Sequence, residues 1–311
     1  MTLFGQSAGS SSVGFMMVSP LARGLFHRAS AQSLGVSFMG ANRRLRASSY
    51  GLQSAESHGA SLVQDIATLR AMGAEQVLER LPSSPTMAIG VHYYPIIDGY
   101  VVPDDPNILV GTKQRANVPL LIGHNADEGL FFARDAARTM SGYRDFVRAT
   151  VPAEFVSEIL RKYPAATDAE AAPAMMRMFG DFRIVTATTL TARAVSKVST
   201  VYMYEFSRVS PFSRTGGAQH GAELPYVFGH TNDPSQFQEI DRTLSNAMAG
   251  AWVQFAKTGD PNGGGLPRWP AYRSPDYRMM NFGDGITVRS NAGAPPIESF
   301  RRVFDTMREK P

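Results

Sequence analysis

The stretch Thr2-Leu3-Phe4-Gly5-Gln6-Ser7-Ala8-Gly9-Ser10 constrains the fold of this chain more than any other. It reads as a short apolar strand passing through Gly-x-Ser-x-Gly into a helical run from Ala8 to Val18, which Ser19-Pro20 ends. A serine on so sharp a strand-to-helix turn is held in a strained backbone conformation with its hydroxyl exposed above a sheet edge. Gly5 and Gly9 leave room there for strand and helix to pass closely. The same turn aims the backbone N–H of Ala8, at a helix N-terminus, toward the place where an oxyanion would form.

Further along, Leu25 to Ser33 reads as a second buried strand, and Ser54 to Ala71 carries a helical apolar face. Ala74 to Leu81 reads as a short helix stopped by Pro82, and Val91 to Asp98 as an extended segment turning at Gly99. Val118 to Gly123 is a near-continuous apolar run, the pattern of a strand covered on both faces. Helical patterns follow over Tyr143 to Ala149, Ala153 to Lys162 and Asp168 to Lys197, the last with a break expected near Gly180-Asp181. Thr200 to Phe206 and Arg278 to Phe282 read as strands. Ile240 to Lys257 and Glu298 to Arg308 read as helices, the former closed by Gly259 and Pro261. Strands alternating with helices predict an α/β fold with a mainly parallel sheet covered on both faces. No internal repeat, low-complexity tract or linker interrupts the 311 residues, so one domain is expected.

Composition removes several classes of function. The chain has no cysteine, which excludes disulfides and thiolate metal sites. Basic and acidic residues number 31 and 27 with no block of like charge, a poor basis for a nucleic-acid partner. The densest basic spot, Arg43, Arg44 and Arg46, reads as a solvated loop. No apolar run approaches the ~18 residues that span a bilayer. No secretory signal pattern stands at the first residues, and the compartment is left open.

A serine hydroxyl is a poor nucleophile until a base takes its proton, and the base needs a third group to orient it. Six histidines are available. His27, His58 and His92 read as structural or exposed, His124 follows a buried strand, and His230 lies in a turn. His220 stands in the loop Gly216-Gly217-Ala218-Gln219-His220-Gly221 soon after the strand Thr200 to Phe206, where catalytic groups of parallel sheets collect. The acid is sought in Asn125-Ala126-Asp127-Glu128-Gly129, again just past a buried strand, with Asp127 and Glu128 both candidates. Ser7, Glu128 and His220 then follow in the order nucleophile, acid, base.

These residues resemble the type-B carboxylesterase (cholinesterase-like) family of α/β-hydrolases over almost the whole chain. Thr2 to Gly9 is similar to T-x-F-G-E-S-A-G, Phe26 to Ser33 to F-x-x-A-I-x-Q-S, and Pro95 to Gly99 to P-V-V-D-G. Gly123 to Gly129 resembles G-x-N-x-D-E-G, and His220 to Gly229 resembles H-G-x-E-L-x-Y-V-F-G. Trp252 to Asn262 resembles W-x-x-F-A-x-x-G-x-P-N. The resemblance implies the α/β-hydrolase fold, with Ser7 as nucleophile, Glu128 as acid, His220 as base, Ala8 N–H as an oxyanion donor, and Ser33 supporting the acid. It implies acyl transfer to water on a small-molecule ester, with no metal or cofactor.

Departures shape the expectation. Gln6 replaces the usual Glu beside the nucleophile, which favours uncharged esters over cationic ones. The family's N-terminal strands and H-G-G-G-type oxyanion loop have no counterpart. The chain is therefore expected to be the C-terminal portion of a longer family domain, with little or no activity as it stands, since one lost oxyanion donor costs about 10²–10³ in rate. A non-catalytic adhesion or binding member of the same fold is the alternative.

Overall fold

The computed structural model describes residues 1–40, 42–63, 65–80, 95–135, 137–290 and 297–309. Six strands form one sheet: β1 (Thr2–Gln6), β2 (Arg28–Gln32), β3 (Leu120–Asn125), β4 (Val201–Phe206), β5 (Arg278–Phe282) and β6 (Ile286–Ser290). Their spatial order is their chain order, with β1 to β5 parallel and β6 antiparallel to β5. In-register pairing of Gln6 with Gln32 and of Gln32 with Gly123 brings the C-terminal ends of β1, β2 and β3 to one level.

Alternation along the strands builds two cores. Leu120 and Ile122 of β3 and Val201 and Met203 of β4 enter the cluster that holds helices Ala8–Val18, Asp168–Gly180, Thr186–Ser196 and Ile297–Arg308. Leu121 of β3 and Tyr202, Tyr204 and Phe206 of β4 enter the opposite cluster, filled by Leu244, Met248, Trp252 and Phe255 of helix Glu239–Thr258. This is the α/β-hydrolase type of architecture, a sheet with helices on both faces.

Several elements coincide with their sequence patterns and several differ. Helices Ala8–Val18 and Ala153–Lys162 and strand β5 have the expected bounds. The strand expected from Leu25 shortens to Arg28–Gln32, and the helix expected over Ser54 to Ala71 splits into Ala55–Leu62 and Ile66–Ala71, each N-capped by its own side chain, Ser54 and Asp65. Of the extended segment expected from Val91, residues 91–94 lie outside the described residues, as does Leu81 of the short helix, now Ala74–Arg80. The break expected at Gly180-Asp181 is a π-helical turn, Asp181–Val185, through which helical dihedrals continue from Gly180 to Thr186. Such turns gather at functional sites. In the basic loop, Arg43 donates to the Gln53 carbonyl while Arg44 and Arg46 pair with Asp104 and Glu56. No helix among the described residues is long and apolar enough to cross a membrane.

A buried ion pair ties β4's exit to helix Glu239–Thr258. Asp241 accepts from Arg208 Nε at 2.7 Å, from Tyr226 hydroxyl at 2.8 Å, and from the Gln238 N–H at 2.7 Å as half of a capping box. Burial opposes the Asp241 charge, but Arg208 and these N–H and O–H donors outweigh it and hold the pKa below the ordinary aspartate range. Asp241→Asn is expected to lower stability in urea at pH 7 by about 2 kcal/mol, since it removes the buried partner of Arg208 and leaves that guanidinium paired with the exposed Asp284 carboxylate. A lowered folded-state pKa gives stability that is present above the unfolded value near ~3.9 and lost as pH falls through the folded one. The difference between wild type and variant is therefore expected to close only in strong acid.

Candidate active site

The turn after β1 gives Ser7 a φ of 58°, the left-handed region that costs a non-glycine residue of order 1–3 kcal/mol. Ser7 occupies the N-cap of helix Ala8–Val18, yet its hydroxyl makes no capping bond. That hydroxyl goes elsewhere: Ser7 Oγ donates to His220 Nε2 at 2.8 Å. Close passage of strand and helix rests on Gly5, where an added Cβ would stand 2.5 Å from the Gly9 carbonyl. At Gly9, expected to matter in the same way, an added Cβ would meet nothing within 4 Å, so Gly9 contributes its backbone rather than a missing side chain. Ala8 begins the helix, with its N–H at the positive end.

Glu128 begins the helical turn Glu128–Asp135 just past β3, and it is buried. Its Oε2 accepts from His220 Nδ1 at 2.5 Å, while Oε1 accepts from Ser33 Oγ at 2.6 Å and from the Asn125 N–H at 2.8 Å. Ser33 also lies at positive φ, 53°, so two of the four polar groups meeting here sit on strained backbone. Asp127, the other acid candidate, points away: its Oδ2 accepts from the Ala218 N–H at 2.9 Å, tying the His220 loop to the Glu128 loop. Gly129 lets helix Asp168–Gly180 press against this segment, since a Cβ there would come within 1.9 Å of the Met176 carbonyl.

The imidazole of His220 thus bridges a hydroxyl and a carboxylate. Nδ1–H faces Glu128 and the Nε2 lone pair faces Ser7, the tautomer a base needs. Burial works against protonation, but the hydrogen bond and charge of Glu128, with the charge of Glu223, outweigh it and raise the His220 pKa. Gln6 Nε2 lies 3.2 Å from His220 Nε2 and directs an N–H toward the same lone pair as the Ser7 hydroxyl, a contact that favours the neutral ring. Three other described histidines make their contacts elsewhere. His27 Nδ1 meets the N-terminal amine at 2.9 Å, the buried His124 bonds the Asn125 carbonyl at 3.0 Å, and His230 is exposed beside Phe228. His92 lies outside the described residues.

Ser7 and His220 open on a cavity of about 460 Å³ whose walls include Phe15, Val36, Phe132 and Ile184. None of the described residues lining it is acidic. Among the described residues no group of three or more histidines and carboxylates is arranged to hold a metal ion.

The sequence profile of the Carboxylesterase family matches residues 1–298. The chain belongs to the carboxylesterase family. This carboxylesterase-family chain is 31% identical over 313 residues to Fumonisin B1 esterase of Sphingopyxis macrogoltabida, covering 96% of this chain and 56% of that protein. It is 26% identical over 333 residues to Para-nitrobenzyl esterase of Bacillus subtilis (strain 168), covering 99% and 63%. It is also 32% identical over 299 residues to Neuroligin-2 of Rattus norvegicus, covering 84% and 35%. The chain therefore spans little more than half the length of the esterases it matches.

Three polar groups of this site were not singled out from the sequence: Gln32, Asn125 and Glu223, all buried. Each stands inside one of the motif strings, one residue before Ser33, three before Glu128 and three after His220. Their position in those strings was the available signal.

Proposed function

We propose that this chain carries the nucleophile, base and acid of a serine carboxylesterase that hydrolyses uncharged carboxylic esters. The observation that carries the reading is the single imidazole bonded at once to Ser7 and to a buried, doubly supported carboxylate. In this reading Ser7 Oγ attacks the ester carbonyl carbon while His220 Nε2 takes its proton, and Glu128 stabilises the imidazolium. The carbonyl oxygen gathers negative charge toward the Ala8 N–H. Collapse of the tetrahedral intermediate breaks the C–O bond, and the alcohol leaves with the proton from Nε2. Water, deprotonated by the same nitrogen, then releases the acid from Ser7.

Two features argue against a cationic substrate: an amide rather than a carboxylate at Gln6, and a cavity lining without acids among the described residues. A fluorophosphonate probe is expected to label Ser7 in the full-length protein, read as a mass shift on its peptide, and to leave Ser7→Ala unlabelled. A folded full-length protein that takes no label overturns the reading. Similarity to Neuroligin-2, whose name is not that of an esterase, favours the alternative of a binding member of this fold. Partner binding without any ester turnover would select that alternative.

A further inference from the structure

Glu223 lies three residues beyond His220 and is fully buried, yet the reaction above does not use it. Its two oxygens accept from amides at the ends of two strands: Oε1 from Gln32 Nε2 at 3.1 Å and Oε2 from Asn125 Nδ2 at 2.6 Å. Both amide orientations are dictated by third groups. The Trp252 indole N–H, which can only donate, meets Gln32 Oε1 at 3.2 Å, and this leaves the Gln32 NH₂ for Glu223. The Gln219 carbonyl, which can only accept, takes the other N–H of Asn125 at 2.7 Å, so that amide cannot turn either. Glu223 therefore meets an N–H at each oxygen, the arrangement that suits an anion.

A second anion in so dry a place needs a counter-charge. Burial and the Glu128 charge push the Glu223 pKa up, and the Asn125 and Gln32 donors oppose them. The Asn125 backbone N–H serves Glu128 while its side chain serves Glu223, so one residue bridges both carboxylates. A further polar group near both glutamates, the Tyr204 hydroxyl, is driven up by burial and by the two carboxylates and stays neutral. Around the imidazole stand Ser7 and Gln6 from the turn after β1, Glu128 from the segment after β3, and Phe131 and Phe132 beyond it, while Glu223 joins the group through Asn125, which it shares with Glu128. Arg183 lines the same cavity from the π-helical turn.

We propose that Glu223 is a positioning residue that sets the basicity of His220: its buried charge, fixed by Gln32 and Asn125, stabilises the imidazolium formed as Ser7 loses its proton. The inference rests on His220 acting as the base for Ser7.

Glu223→Gln keeps the shape and removes the charge. In full-length protein labelled with ¹³C at histidine Cε1, the His220 signal is assigned by its loss in His220→Gln. That signal is expected to titrate about one pH unit lower in Glu223→Gln than in wild type. The acid limb of kcat/KM moves down with it, and kcat falls about three- to tenfold. Glu223→Asp, which keeps the charge, restores most of the limb. Should Glu223→Gln not fold, Gln32→Met removes one N–H from Glu223 and shifts the titration in the same direction by less. An unshifted His220 titration in either folded variant overturns the proposal, even if the rate falls. The titration is read without turnover, so a shifted His220 in a protein that hydrolyses no ester overturns the esterase reading while the charge coupling of Glu223 to His220 stands.

Discussion

Ser7→Ala is expected to lower ester turnover by the full-length protein by at least ~10⁴-fold, measured on a chromogenic uncharged ester at saturating substrate. The effect follows from geometry: Ser7 Oγ is the hydroxyl that donates to His220 Nε2, and Ser10, Ser11 and Ser12 stand farther along the helix, with Ser12 Oγ engaged by the Ala8 carbonyl. Ser7→Gly separates chemistry from stability. Glycine adopts a φ of 58° without strain, and no capping bond is lost, so this variant is expected to gain about 1 kcal/mol in urea while remaining as inactive as the alanine variant. Turnover by Ser7→Ala within tenfold of wild type would sink the assignment of the nucleophile.

Glu128→Gln is expected to lower kcat by about 10³–10⁴, and the cause can be followed atom by atom. Oε1 of Glu128 receives two donors, the Ser33 hydroxyl and the Asn125 N–H, so the new amide must place its carbonyl oxygen there. Its NH₂ then occupies the Oε2 position and faces His220 Nδ1. The ring must accept at Nδ1 and carry its proton on Nε2, which is the tautomer unable to take a proton from Ser7. Loss of the carboxylate also withdraws the largest support of the imidazolium, so the His220 pKa falls and the acid limb of the pH profile moves to lower pH. A variant whose kcat stays within tenfold of wild type would show that Glu128 does not orient the base.

Much of the fold was legible because its signals are local. β3 and β4 are buried on both faces and read as continuous or alternating apolar runs, and Gly259 at a φ of 84° marks a helix end that the sequence announces. β6 went unread: Ile286–Ser290 is an edge strand with only partial burial, so its pattern carries little hydrophobic contrast. The break expected at Gly180-Asp181 coincides along the chain with a π-helical turn rather than a helix end. Glycine there does not end the helix; it lets the helix touch the Gly129 backbone, a contact between distant segments that no local pattern encodes. The site divides in the same way. Ser7, Glu128 and His220 could be proposed from motifs and from their positions after strands. The amide orientations around Glu223 join residues 98 and 191 positions apart and emerge only from the folded arrangement.

The gauge of the relay is set by the sheet. Ser7, the proposed nucleophile, hangs from β1 and Glu128, the proposed acid, from β3, with β2 between them. Two strand spacings, roughly 10 Å in all, fix the span that one aromatic ring with a contact at either end must bridge. That width belongs to the peptide backbone and is indifferent to which side chains fill the cores beneath. Divergent chains can therefore rebuild their interiors at will and still inherit a ruler of the right length for this chemistry.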